Sequence, residues 1–318
     1  MSEKAFQAGC DFEAGKEIDF EAFTSCTKPC WGHFHFYHNG TADYLRNKSG
    51  VDEFVVDAML AEETRPRFVE VNGSGCLVIL RAINFHPDKE NEDMVSVRLW
   101  IEPKRIISVV KQDFRSADEV KDLILRGVGP KTVGEFMVVL IKHILGHMEP
   151  VIAELDERTV SWEEEIPENA EHDLFSHLSE TKKQTLILRR HLAPERDVIY
   201  QLGHTPLEIF SKKEKRQIQE LHDRITLYVE DIEAIKERVI NIIDELRGRL
   251  ATHTGRAMYI FSLVAVIFLP LTFLTGLFGI NVGGIPGSNT PWAFGVFSII
   301  MLTIAVGLVW FFRRIRWF

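Results

Sequence analysis

Two hydrophobic rhythms divide this chain. From about residue 33 to 113, short apolar runs alternate with turn-forming residues. His33-Phe-His-Phe-Tyr, Arg67-Phe-Val-Glu-Val, Cys76-Leu-Val-Ile-Leu-Arg-Ala-Ile, Val95-Ser-Val-Arg-Leu-Trp-Ile and Ile106-Ile-Ser-Val-Val have the length and β-branched content of strands. Asp52–Leu60 has helical spacing and falls between the first two of them. From Ser116 the period lengthens to that of a helix. Ser116-Ala-Asp-Glu matches a capping signature, Thr132–Trp162 is a long amphipathic run, and Pro167, Pro194 and Pro206 are expected to punctuate the helices that follow.

Near Ser211 a third pattern begins. Ile218, Leu221, Ile225, Tyr228, Ile232, Ile235, Val239, Ile242 and Leu246 follow 3-4 spacing without a break, the mark of a coiled-coil-like seam. No proline interrupts the chain before Pro270, so one helix from Ser211 to Gly279 would extend roughly 100 Å at 1.5 Å per residue.

Charge then changes the picture. The whole chain of 318 residues carries a formal charge of −9, an ordinary acidic balance. Yet Ala257 to Phe312 contains no Asp, Glu, Lys or Arg, and from Gly255 onward the only charged residues are Arg256, Arg313, Arg314 and Arg316. The uncharged stretch divides into Ala257–Gly279 and Trp292–Phe312, each long enough to cross a hydrocarbon core of ~30 Å. Asn-Val-Gly-Gly-Ile-Pro-Gly-Ser-Asn-Thr-Pro separates them and cannot stay helical. A two-span membrane protein follows. Arginines before the first span and after the second, with none between, place both termini in the cytoplasm. Tyr259, Trp292, Trp310 and Trp317 fall near the span ends, as interfacial rings do. No signal peptide is expected in the acidic first 30 residues, and Cys10, Cys26, Cys30 and Cys76 are expected to be cytosolic thiols.

One stripe of the first span stands apart. Gly255, Met258, Ser262, Ala265, Leu269, Thr272, Gly276 and Gly279 share 3-4 spacing and are mostly small, soft or hydroxylated. Such a stripe suits either tight helix packing or a water-lined path. Traced back in the same phase, it meets Asp244, Glu237, Glu230, Asp223 and Glu220, opposite the apolar seam. An acidic ladder feeding a small-residue membrane face is what a cation path needs, because focused negative potential concentrates cations. Two helices cannot enclose a pore. A path therefore requires an oligomer with the first span at its centre.

Pro270-Leu-Thr-Phe-Leu-Thr-Gly-Leu-Phe-Gly-Ile-Asn-Val-Gly-Gly-Ile-Pro-Gly resembles the signature that ends the first span in the CorA superfamily of divalent-cation transporters. Gly279-Ile280-Asn281 stands where that family has Gly-Met-Asn, and the Val-Gly-Gly-Ile-Pro-Gly that follows is similar to the ZntB branch of zinc transporters. The Arg65-Pro-Arg and Pro194-Glu-Arg-Asp segments, and the Arg-rich end, also resemble that branch. The resemblance covers essentially the whole chain. It implies a pentameric funnel: an α/β cytosolic domain, a long α-helical stalk continuing into a two-span α-helical transmembrane hairpin, and a homopentamer around the axis. The expected divisions are an α/β domain over 1–130, a helical segment over 131–205 and a stalk over 206–256. The spans at 257–279 and 292–312 flank a periplasmic loop, 280–291, and 313–318 form a basic tail. By the same resemblance Gly279, Ile280 and Asn281 form the pore entrance, where five Asn281 amides would hold a hydrated cation. Met258, Ser262, Ala265, Leu269, Thr272 and Gly276 would line the pore, and Asp244, Glu237, Glu230 and Asp223 the cytosolic path. The transported ion implied is zinc or another divalent cation, with proton coupling in some members. Departure from Gly-Met-Asn, with no acidic residue in the loop, leaves magnesium selectivity open, and a magnesium, cobalt or nickel channel gated by cytosolic metal is the alternative.

Other signals weigh less. Cys26, Cys30, His33 and His35 have the ligand types of a zinc site, with His38 close behind, but their spacing matches no established finger. His143 and His147 are four apart on a helix, with no carboxylate spaced along the sequence to join them, and read as a solvated face. Gly127-Val-Gly-Pro-Lys-Thr lacks the gap of a phosphate loop. The Glu163-Glu164-Glu165 run reads as a helix-hairpin tip. No nucleophile–base pair suggests an enzyme, no resident cofactor is implied, and the acidic soluble part argues against nucleic acid.

Overall fold

The computed structural model describes residues 5–71, 73–84, 94–164, 171–279, 287 and 290–314. It divides into two compact units, Met1–Ile243 and Asp244–Phe318.

The first unit is built on one seven-stranded sheet. Its strands are β1 (Phe6–Asp11), β2 (Lys16–Glu17), β3 (Cys30–His35), β4 (Arg67–Val71), β5 (Gly75–Ala82), β6 (Val95–Ile101) and β7 (Arg105–Val110), in the spatial order β2-β1-β3-β7-β6-β5-β4. Only β3 and β7 run parallel; every other neighbouring pair is antiparallel. β6 is buried along its whole length and β5 nearly so, because both faces of the sheet are covered. On one face the helices α1 (Phe20–Thr24), α2 (Asn39–Asn47) and α3 (Glu53–Met59) place Phe23, Tyr44, Val56 and Met59 over Cys30, Phe34, Leu77, Ile79 and Val109. On the other, Trp31 and Phe12 meet Phe136 of α5 (Val133–Glu164), with α4 (Arg115–Leu125) alongside.

Several boundaries differ from the sequence pattern. The sheet begins with β1 and β2, which precede the first strand expected. β1 alternates weakly, and β2 is only two exposed residues. α2 has no side-chain cap signal of the usual kind; His38 Nδ1 accepts from Gly40 N–H instead. Ser116 does not cap α4, which starts one residue earlier, after Phe114, and its hydroxyl is hydrogen-bonded to His147 at 3.2 Å. Pro194 lies inside α6 (Glu171–His204) rather than at a boundary, and Pro150 inside α5. Each proline removes one backbone donor, a loss these long packed helices absorb. Pro206 does follow the end of α6, whereas Pro167 lies outside the described residues.

The start of α7 (Lys212–Phe278) is fixed by a reciprocal cap. Ser211 Oγ accepts from Glu214 N–H at 3.3 Å while Glu214 accepts from Ser211 N–H at 2.5 Å. Thr132 Oγ1 donates to the same carboxylate at 2.8 Å, and Gly134 leaves room for it, since a Cβ there would lie 2.6 Å from the Glu214 carboxylate and displace it. Further along, every seam residue from Ile218 to Leu246 is buried. Ion pairs flank the seam. Arg238 reaches Asp156 of α5 at 2.7 Å, Arg224 reaches Glu149, and Arg189 of α6 meets Glu233 at 2.5 Å.

In the second unit, the end of α7 is accompanied by α8 (Ala293–Arg314), with Phe278 and Phe297 rings 5.2 Å apart. Among the described residues three helices could cross a membrane by length and composition: α5, α7 and α8. Half of the apolar window of α5 is buried inside the protein, against the sheet and α4, so its hydrophobicity is spent on the core. No residue in the apolar windows of α7 and α8 is fully buried.

Candidate functional site: the membrane stripe and the acidic face

The second unit shows which side of α7 its neighbour covers. Leu263, Ile267, Leu271 and Leu274 are half-buried, and the matching half-buried residues of α8 are Ala293, Phe297, Met301, Ile304, Ala305 and Leu308. At about 100° per residue these four leucine and isoleucine positions form one narrow face. Met258, Ser262, Ala265, Leu269, Thr272 and Gly276 are all exposed, and their mean direction is about 180° from that face. Within one chain, therefore, α8 packs behind the stripe and leaves it open. Leu269 is 73% exposed and Met258 65%. Gly276 has no atom within 4 Å of where a Cβ would stand. Thr275, one residue off the stripe, returns its hydroxyl to the Thr272 carbonyl at 3.0 Å. The stretch Ala257–Phe312 offers no thiol, imidazole or carboxylate, so nothing in it can replace the hydration shell of a zinc ion with a tight ligand set. Gly279 is the last described residue of this helix end; Ile280 and Asn281 lie outside the described residues.

In the first unit Asp223, Glu230 and Glu237 are exposed on the side of α7 away from its buried seam. Asp223 accepts from Gln219 at 3.1 Å. The face is not purely acidic, since Leu227 and Ala234 share it and are also exposed. Asp244, in the second unit, is exposed and pairs with Arg247 at 3.3 Å.

The cysteine and histidine candidates are not brought together as a metal site. Alternation along β3 sends Cys30 into the core beneath α1 and α2, with Cys26 packed against the same cluster, while His33 points through the opposite face. There His33 Nδ1 shares a 2.7 Å hydrogen bond with Ser108 Oγ, which also accepts from Trp31 Nε1–H at 2.7 Å. Burial pushes the His33 imidazole down to about 4, with smaller contributions from His35 and Lys121. His35 instead accepts from Tyr37 N–H. Among the described residues no group of three or more His, Cys, Asp and Glu is disposed to hold a metal ion. The four cysteines are free thiols, and burial pushes those of Cys10 and Cys76 up to about 12.

The His143/His147 pair has a partner the spacing did not reveal. Glu119, from α4, takes a 2.8 Å hydrogen bond from His143 Nδ1 and one of 3.1 Å from His147 Nε2. Partial burial pushes the Glu119 carboxyl up, but the His143 hydrogen bond and the charges of His147 and Arg115 outweigh it and hold the group below the usual range. The face is a helix contact and not a solvated surface.

A sheet-bearing domain and a capped long helix whose apolar end is paired with α8 describe a chain with an apolar helix pair long enough to cross a membrane. The chain belongs to the CorA-like Mg2+ transporter protein family, whose profile matches residues 27–314. A zinc transport protein ZntB from Yersinia enterocolitica is 30% identical over 318 residues, 100% of this chain and 97% of that one. A divalent cation transporter CmaX from Pseudomonas aeruginosa is 34% identical over 276 residues, covering 86% and 83%. The solved full-length CmaX protein superposes with a TM-score of 0.85 at 30% identity over 99% of both chains. The CorA magnesium transporter of Methanocaldococcus jannaschii shares the fold, with a TM-score of 0.79 at 18% identity over 95% of both. These relatives are transporters, not enzymes.

Proposed function

We propose that this chain transports divalent cations, zinc foremost, across the bacterial cytoplasmic membrane as a homopentamer with α7 innermost. The observation that carries this reading is the disposition of the second unit. α8 covers one side of α7 and leaves the side bearing Met258, Ser262, Ala265, Leu269, Thr272 and Gly276 open. The Ser262 and Thr272 hydroxyls lie on a face that α8 leaves uncovered and would meet hydrocarbon in a single chain, and symmetric copies facing one another would enclose them. Zinc as the cargo rests on relatives named for zinc transport that match the chain at full length.

The pore residues act by shape and dipole. Asn281, assigned by family resemblance, would present a ring of amide oxygens to the outer water shell of the cation. Thr272 would form a hydroxyl ring and Leu269 an apolar constriction that gates by excluding water. Passage is of the hydrated ion, because the spans hold no Cys, His or carboxylate side chain, and the thioethers of Met258 and Met301 alone do not make a zinc ligand set. The carboxylates Asp244, Glu237, Glu230 and Asp223 would draw the cation on at the cytosolic side. Arg247, Arg249 and Arg256 before the first span and Arg313, Arg314 and Arg316 after the second, with no charge between, support a cytoplasmic location for both chain ends. Proton coupling, as in part of the ZntB branch, would use groups outside the spans, such as His253, Asp244 or Glu237.

The test uses purified protein in liposomes loaded with a zinc-sensitive dye, with and without a pH gradient. Zinc entering faster with the gradient, and magnesium competing poorly, is the expected result. Normal flux and selectivity in Asn281→Ala would overturn the entrance assignment, and flux of magnesium in preference to zinc would overturn the cargo.

A further inference from the structure

β6 reads Val-Ser-Val-Arg-Leu-Trp-Ile, and all seven residues are buried, Arg98 included at 0% exposure. A guanidinium that leaves water needs hydrogen bonds and a counter-charge. Arg98 receives part of this. Its Nη2 donates to the Ala61 carbonyl at 2.9 Å, and its plane lies 4.6 Å from the centre of the Phe36 ring. Its Nε and Nη1, however, are buried without any partner. Among the described residues no carboxylate lies within ion-pair distance of Arg98 or of Arg81.

The Arg98 side chain forms part of the wall of a cavity of about 720 Å³ at one end of the sheet, where β5 and β7 finish and β6 starts. Residues 62–65 and the α6 positions Ile187, Arg190 and His191 close it. Among the described residues five cationic side chains line it, Arg65, Arg81, Arg98, Lys111 and Arg190, against two carboxylates, Glu62 and Glu63. Glu62 is already engaged by Lys111 at 2.6 Å. Arg81 is held in place by the carbonyls of Thr64 and Met94, with Nε left over. His191 Nδ1 is likewise buried and unpartnered. Burial, then the charges of Arg81, Arg190 and Arg65, keep that imidazole neutral, pushed down to about 4. The fully buried carboxyl beneath, Glu195, is pushed up to about 8 by burial, so at neutral pH it supplies no compensating charge.

From this arrangement we infer that the cavity between residues 62–65, the β5–β6–β7 ends and α6 is a binding site for a soluble, multiply charged, phosphate-bearing anion. A planar carboxylate is satisfied by one guanidinium fork, whereas donors converging from several directions match the oxygens of a phosphate chain. The volume and the spread of charge from Arg65 and Arg190 to Arg98 fit two or more phosphates better than one. Binding at this site is independent of the transport reading, since it involves neither spans nor metal.

The test is calorimetric titration of the full-length protein in zwitterionic nanodiscs, in divalent-free buffer with chelator, using pyrophosphate, ATP and citrate as probes. Saturable binding of pyrophosphate or ATP at one site per chain is expected, weakening with added salt. Arg65→Ala and Arg190→Ala, both exposed and safe for folding, should each weaken it about ten-fold or more, and Arg98→Met should abolish it. Three results would overturn the proposal: no saturable binding, binding unchanged in both exposed variants, or citrate binding as tightly as the phosphates. Should Arg98→Met fail to fold, the two exposed variants decide.

Discussion

Replacing Glu195 with glutamine removes an ionisable group from the interior while keeping an acceptor for the Arg81 N–H, now at 3.3 Å. In the folded protein this carboxyl is pushed up to about 8, chiefly by burial and against the opposing pull of Arg81. In the unfolded chain it titrates near ~4.3. Between those two values the native state holds a proton that the unfolded state has released, so stability falls as pH rises through the window. The slope is about 1.4 kcal/mol per pH unit, and the whole window amounts to about 5 kcal/mol. Below the window, and above pH 8, this group adds no further slope. Glu195→Gln has no such term. The difference between the two proteins therefore isolates this one group from all others that titrate. From pH 6 to 8 the wild type should lose about 2 kcal/mol relative to the variant, a divergence of roughly 4–8 °C in melting temperature. Scanning fluorimetry of the detergent-solubilised chain at half-unit pH steps reads it directly. Parallel melting curves for the two proteins from pH 6 to 8 would show that Glu195 is not the buried neutral acid described.

Two further outcomes follow from burial. Ile232 is fully buried in the α7 seam and Leu227 is 58% exposed on the opposite side. Ile232→Ala should cost about 2–5 kcal/mol and Leu227→Ala less than about 0.5, as compared by melting temperature. Of the four thiols only Cys26 is more than marginally accessible, while Cys10, Cys30 and Cys76 are buried. A water-soluble thiol reagent should therefore titrate one group per native chain and four after denaturation. Zinc should protect none of them, and protection of Cys26 together with Cys30 would reinstate the metal site.

What the sequence could disclose depended on whether the signal was local. The α7 seam is readable because one helix carries its own period, and all nine positions from Ile218 to Leu246 are buried as that period requires. Strands β5 to β7 were legible because both faces are covered, leaving long apolar runs. β1 and β2 were not, since an edge strand with exposed alternation looks like loop. The stripe from Met258 to Gly276 is again a property of one helix, but its meaning needed α8, whose contact with Leu263, Ile267, Leu271 and Leu274 is tertiary. Glu119 lies far in sequence from His143 and His147, so no spacing rule joins them. In β3 the alternation of the strand was itself sufficient to separate Cys30 from His33. Arg98 offered a sign, a lone charge amid the apolar run Val95–Ile101, although its lack of a partner is visible only in three dimensions.

The central claim is that the open face of α7, and not its flanks, faces the transported ion. Cysteine substitution in a background where the native thiols are replaced tests it most directly. Ser262→Cys and Thr272→Cys lie on the open stripe, and Phe268→Cys, also exposed, lies on its flank, about 100° from the α8 contact. Zinc flux into liposomes is measured before and after a charged, water-soluble thiol reagent. Block at residues 262 and 272, with flux at 268 untouched, is the result this account predicts. Flux that survives modification at both stripe positions, or that is lost equally at Phe268→Cys, would contradict it.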